Sequence, residues 1–94
     1  MAKLSVLILA KNEEKNIADC IKSVAFADEV VVIDDFSEDT TAAIAEGLGA
    51  RVVQRAMKGN WGEQQTFAIE QASCDWVFFI DADERASKRL AAKV

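Results

Sequence analysis

The sequence predicts an α/β fold: a Rossmann-like three-layer sandwich with a mainly parallel sheet between helices. Three observations carry this. Continuous apolar runs rich in branched side chains recur at Leu4–Leu9, Val30–Ile33 and Trp76–Ile80, as expected of strands covered on both faces. Stretches of helical periodicity separate them. Strands alternating with helices at this spacing imply crossover connections, which place the strands parallel and the helices on both faces.

Taken in order, Leu4–Leu9 is the first strand. From Glu13 onward Ile17, Ala18, Cys20, Ile21, Val24 and Ala25 recur at helical spacing, with Glu13, Glu14, Lys15, Asp19 and Lys22 on the other face. Asn12 is a candidate N-cap for this helix, and Glu13 and Glu14 suit its positive end. Val30–Ile33 is the second strand, ending in Asp34 and Asp35 before a polar turn in which Ser37 or Asp39 can cap the next helix. That helix runs from about Thr40 to Leu48 and closes near Gly47 and Gly49. Arg51–Gln54 is a short third strand. After a loop containing Lys58, Gly59 and Asn60, the residues Phe67, Ala68, Ile69 and Ala72 carry helical periodicity into the fourth strand, Trp76–Ile80, which again ends in acid at Asp81 and Asp83.

Length and composition set the bounds. At 94 residues one small domain, residues 1–94, is the ceiling. Hydrophobic residues at 51% and charged residues at 29% are globular rather than disordered values. A formal charge of -5 with no histidine excludes a nucleic-acid surface, which needs clustered Lys and Arg to replace phosphate counterions. Cys20 and Cys74 are too few and too far apart for a zinc site and read as reduced thiols in a cytoplasmic chain. The run near the start is too short to span a bilayer and lacks the features of a signal peptide.

Open parallel sheets bind ligands beyond the carboxyl ends of their strands, where strand order reverses. With strand order 3-2-1-4, the reversal falls between strands one and four. The acids of the first loop, of Asp34 and Asp35, and of the run Asp81, Ala82, Asp83, Glu84 then line one crevice. Gathered carboxylates repel unless a cation offsets them, and magnesium or manganese is the expected one. Asp81 and Asp83 stand two apart and project to one side of an extended strand end, which suits a hard cation that takes further ligands from substrate phosphates. Each acid also has a plainer reading, as a turn, a cap or a solvated strand end.

The run Leu4–Glu14, the acidic turn Asp34–Thr40 and the stretch Trp76–Glu84 together resemble family 2 glycosyltransferases of the GT-A fold, and in particular bacterial lipopolysaccharide core and cell-envelope enzymes. The likeness covers essentially the whole chain, as the N-terminal donor-binding portion of such an enzyme. It implies a nucleotide-diphosphate sugar as donor, a UDP-sugar first, and an envelope glycan or lipid-linked acceptor. It further implies that Glu13 lies beside the nucleobase and ribose, that Asp35 accepts a hydrogen bond from the base, that Asp83 is the principal ligand of Mg2+ or Mn2+, and that Asp81 sits near the ribose or reaches the metal through water.

Two departures mark this chain. Many members carry proline and tyrosine before the asparagine of the first loop, where Ala10 and Lys11 stand here, so a ring stacked on the base does not carry over. Related helices begin with glutamine, lysine and asparagine, where this one reads Gln64, Gln65, Thr66, and a solvated helix face is expected there. The family's general base lies in acceptor-side sequence, and the 94 residues offer no catalytic candidate. The chain alone is therefore expected to bind donor without transferring sugar. The full enzyme is expected to work in the cytoplasm, peripheral to the inner face of the plasma membrane. Left without a neighbour, the fourth strand is expected to drive self-association through its edge.

Two other classes share some of these features. A magnesium-binding receiver domain has its acidic pair after the first strand, whereas a strand and a helix precede Asp34 here. Nucleotidyltransferase-like domains commonly open with a glycine- and arginine-rich phosphate loop, which is absent after Leu9.

Overall fold

The computed structural model describes residues 3–82. Four parallel strands, β1 (Leu4–Ala10), β2 (Glu29–Asp34), β3 (Arg51–Gln54) and β4 (Trp76–Asp81), form one sheet of order β3-β2-β1-β4. Helices α1 (Ile17–Ser23), α2 (Thr41–Gly47) and α3 (Trp61–Gln71) supply the crossovers. The predicted class, layers and strand order are all present.

β1 is apolar from Val6 to Ala10 because it is covered on both sides. Val6, Ile8 and Ala10 join Val32 and Ile80 of the neighbouring strands against Ile17, Cys20 and Ile21 of α1 and Ala45 of α2. Leu7 lies in the opposite layer with Val31, Ile33 and Ala68 of α3, and Leu9 packs against that cluster. Alternate residues thus feed separate cores, which is why the run has no polar member at its centre. Among the described residues β4 is an edge strand, and its Trp76 and Val77 are exposed. No helix among the described residues is long and apolar enough to cross a membrane.

The starts of the strands are tied by one carboxylate. Glu29 accepts from the Ser5 hydroxyl at 2.7 Å and from the backbone and hydroxyl of Ser73 at 3.0 and 2.9 Å, and Arg51 lies 3.6 Å away. Burial alone would raise its pKa, but these hydrogen bonds and the Arg51 charge together hold it below the usual glutamate value.

Helix boundaries follow the expectations with one correction. α2 ends as glycine allows: Gly49 has φ 91°, its N–H donates to Glu46 O at 3.0 Å, and Ala50 N–H donates to Ala45 O at 3.1 Å, the double bond of a Schellman closure. α1, however, starts at Ile17 with Asn16 as its cap, not at Glu13 behind Asn12. Residues 12–16 form a turn instead, because their polar groups are engaged by the loop that follows β2.

Candidate functional site

Among the described residues three non-glycine residues adopt positive φ: Asn12 at 53°, Phe36 at 46° and Lys58 at 53°. They fall in the three loops that leave β1, β2 and β3, all at the carboxyl end of the sheet. Backbone of this kind costs energy and persists where the surroundings over-determine it, as at binding sites.

The first two loops are laced together. Asn12 donates its N–H to Ser37 Oγ at 2.8 Å, and its side-chain oxygen accepts from Glu38 N–H at 2.7 Å. Glu13 N–H donates to Thr41 Oγ1 at 2.8 Å and Glu14 N–H to Asp39 Oδ2 at 3.2 Å, while Glu14 in turn accepts from the backbone and hydroxyl of Thr40. Asp39 also accepts from the backbone and hydroxyl of Thr41, so it serves the start of α2 from just before the cap position, Thr40. The Thr41 hydroxyl is the main reason its carboxyl sits below the ordinary aspartate range. Ser37 does not cap; its N–H and hydroxyl donate to Asp34.

Asp34 and Asp35, adjacent in sequence, have separate roles. Asp34 is fully buried and also accepts from Gln54 Nε2 at 2.7 Å, so it braces the turn rather than meeting solvent. Asp35 lies at the border of a cavity of about 140 Å³ formed by Leu9, Ile33, Met57 and Trp61, with Lys11 also on its wall. Its Oδ1 accepts from Met57 N–H at 3.2 Å, and Lys11 Nζ stands 3.8 Å from its Oδ2.

Of the acids expected to share one crevice, those of the first loop and Asp81 are among the described residues. Glu13 is half-buried and accepts from Asn16 Nδ2 at 3.2 Å. Glu14 is spent on the second loop. Asp81 ends β4 as an exposed residue in register with Leu9, and its carbonyl accepts from Cys20 Sγ at 3.5 Å. Asp83 and Glu84 lie outside the described residues. Among the described residues no three Asp, Glu, Cys or His side chains gather as a metal-holding group. Neither cysteine is in a disulfide.

Two contributors were not foreseen. Gln64 is buried rather than solvated: its Nε2 donates to Arg55 O at 2.7 Å and its Oε1 accepts from Arg55 Nη1 at 2.8 Å. Trp61 opens α3 behind Asn60, whose side chain caps Glu63 N–H at 3.0 Å. A signal existed: 61, 64 and 68 share one helical stripe, and Asn60 with Glu63 has the spacing of a capping box.

A larger depression of about 700 Å³ lies at the other end of the sheet, where Lys3, Asp28, Arg51 and Ser73 flank the strand starts. The carboxyl end remains the candidate, because the strained loops, a half-open apolar cavity and a carboxylate at its border all meet there.

Comparison with known proteins identifies the family and the fold. An uncharacterized glycosyltransferase of Rickettsia felis is 45% identical over 95 residues, covering 100% of this chain and 33% of its own. The lipopolysaccharide core biosynthesis glycosyltransferase LpsC of Rhizobium meliloti is 40% identical over 92 residues, covering 93% of this chain and 34% of its own. The chain thus spans about a third of the length of these relatives. Among solved structures, Staphylococcus aureus TarS superposes with a TM-score of 0.75 or better, at 0.82, with 32% identity over 97% of this chain and 30% of that one. Glucosyl-3-phosphoglycerate synthase from Mycobacterium tuberculosis, in complex with Mn2+, UDP and glucosyl-3-phosphoglycerate, superposes with a TM-score of 0.75 and 32% identity over 86% of this chain and 33% of that one. The order β3-β2-β1-β4 is accordingly that of a partial GT-A fold, and the receiver and nucleotidyltransferase readings fall away. The model of glycosyl transferase family 2 matches residues 5–94, and the chain belongs to that family.

Proposed function

We infer that residues 1–94 are the donor-binding part of a glycosyltransferase that moves a sugar from a nucleotide diphosphate, a UDP-sugar first, to an envelope glycan or lipid-linked acceptor. The observation that carries this reading is Asp35: a carboxylate at the carboxyl end of β2, bordering a cavity the size of a single ring. The solved neighbour of the same fold holds UDP and Mn2+. In this reading Asp35 accepts a hydrogen bond from the base, and Glu13 lies beside the base and ribose.

Asp81 and Asp83 would hold Mg2+ or Mn2+, Asp83 as principal ligand. Asp81 fits that part, since it ends β4 as an exposed carboxylate at the ligand-binding end of the sheet. So few protein ligands suit these ions, which keep waters and complete their shells with substrate phosphates. Such a cation supplies charge stabilisation to the departing diphosphate. The chain's own residues bind and orient the donor, and the 94 residues alone bind it without transferring sugar. The full enzyme works at the cytoplasmic face of the plasma membrane.

Calorimetric titration of the chain with UDP, with and without Mn2+, tests this. Binding that strengthens with Mn2+ and loses that gain in Asp83→Ala is expected. Metal-independent binding, or none by a chain folded by circular dichroism, contradicts it. Trp76 and Val77 on the β4 edge also support self-association of the isolated chain. Light scattering should show the mass rising with concentration; a constant monomer mass refutes this.

A further inference from the structure

We propose that Trp61 is the stacking wall for the donor's base, with Asp35 and Lys11 reading the base's edge. The proposal rests on the donor-site reading above and adds to it a residue that the first loop cannot supply, since Lys11 stands where an aromatic ring would otherwise be.

The cavity beside Asp35 is mostly apolar and measures about 140 Å³. Apolar cavities of about 150 Å³ take a benzene ring, so a single six-membered ring fits. Trp61 is 46% exposed while lining this cavity, so a large aromatic face is left available at its border. Trp61 is held there from two directions. Asn60 caps the helix it opens, and Gln64, one turn on, is locked to Arg55.

Lys11 Nζ and Asp35 Oδ2 set a donor and an acceptor 3.8 Å apart on the same wall. The Lys11 side chain is 58% exposed, and an ion pair so open is weak enough to part for a ligand. A ring N–H beside a ring carbonyl, as in uracil, matches that pair: the N–H donates to Asp35 and the carbonyl accepts from Lys11. Stacking on an aromatic side chain then contributes about 1.4 kcal/mol for each tenfold in affinity, within the range of base–aromatic contacts.

The test uses the 94-residue chain with Trp76→Phe, which leaves Trp61 as its one tryptophan. UDP with Mn2+ should quench Trp61 fluorescence, and inorganic pyrophosphate with Mn2+ should not. By calorimetry Trp61→Ala should weaken UDP by about tenfold or more, Trp61→Phe should retain most of the affinity, and pyrophosphate should bind all three alike. UDP binding unchanged in Trp61→Ala, or equal quenching by pyrophosphate, overturns the proposal and leaves the donor-site reading standing. Failure of UDP to bind the wild-type chain at all overturns both. Should Trp61→Ala not fold, the quenching comparison and Trp61→Phe decide.

Discussion

Asp34→Ala should lower stability by about 3 kcal/mol, read as a fall in the urea midpoint at unchanged slope. The side chain is fully buried and takes hydrogen bonds from Ser37 N–H, the Ser37 hydroxyl and Gln54 Nε2. Alanine removes the acceptor of three part-buried hydrogen bonds, and at the lower end of the cost of an orphaned group, about 1 kcal/mol each, the three account for the loss. Part of the loss is recovered if the Ser37 hydroxyl turns to another acceptor. Asp34→Asn keeps the shape and one acceptor oxygen, and so should fall between alanine and wild type. The same turn presents Asp35 and receives Asn12, so nucleotide binding should weaken alongside stability. A change within about 0.5 kcal/mol, the range of ordinary surface substitutions, would show that Asp34 does not brace the turn.

This division of labour between neighbouring acids explains how far the sequence could be read. β1 and β2 were legible because a strand covered on both faces must be apolar at every position, and Val6–Ile8 and Val31–Ile33 meet that demand. The alternation of strands and helices gave the parallel sheet, and the order 3-2-1-4 assumed for it is the order found. Asp35 was singled out for a ligand, but that Asp34 would be spent bracing the turn was not legible, since the two acids differ only in the partners that reach them. Gln54 lies 20 residues from Asp34, and Met57 lies 22 residues from Asp35.

The start of α1 was misplaced for a related reason. Periodicity and acidic residues suggested Glu13, but Asn12, Glu13 and Glu14 are bound to residues 25 to 28 positions further on. Local propensity yields there to a bracket between two loops. Gln64 shows the opposite error. A glutamine reads as solvent-facing until its place on the Trp61–Ala68 stripe is noticed, and burial then requires a polar partner, which Arg55 provides.

Gln64→Leu should therefore affect folding and binding together. Leucine fills a similar volume but leaves the buried Arg55 carbonyl without its amide donor and the Arg55 guanidinium without its side-chain acceptor. The expected loss is about 2 kcal/mol, mostly from the stranded carbonyl. The guanidinium keeps its place over the Phe67 ring, 4.6 Å from the centroid, which limits the second term. A double-mutant cycle with Arg55→Leu separates the two: coupling between the side chains reports the guanidinium bond, and the remainder reports the carbonyl. Because Arg55 N–H donates to Asp34 O and Met57 N–H to Asp35, loosening residues 55–57 slackens the wall of the cavity. UDP affinity should then fall even when the protein is held well below its unfolding midpoint. Lost stability with unchanged UDP affinity would mean that Gln64 supports the fold alone and that Asp35 keeps its place without the Arg55 segment.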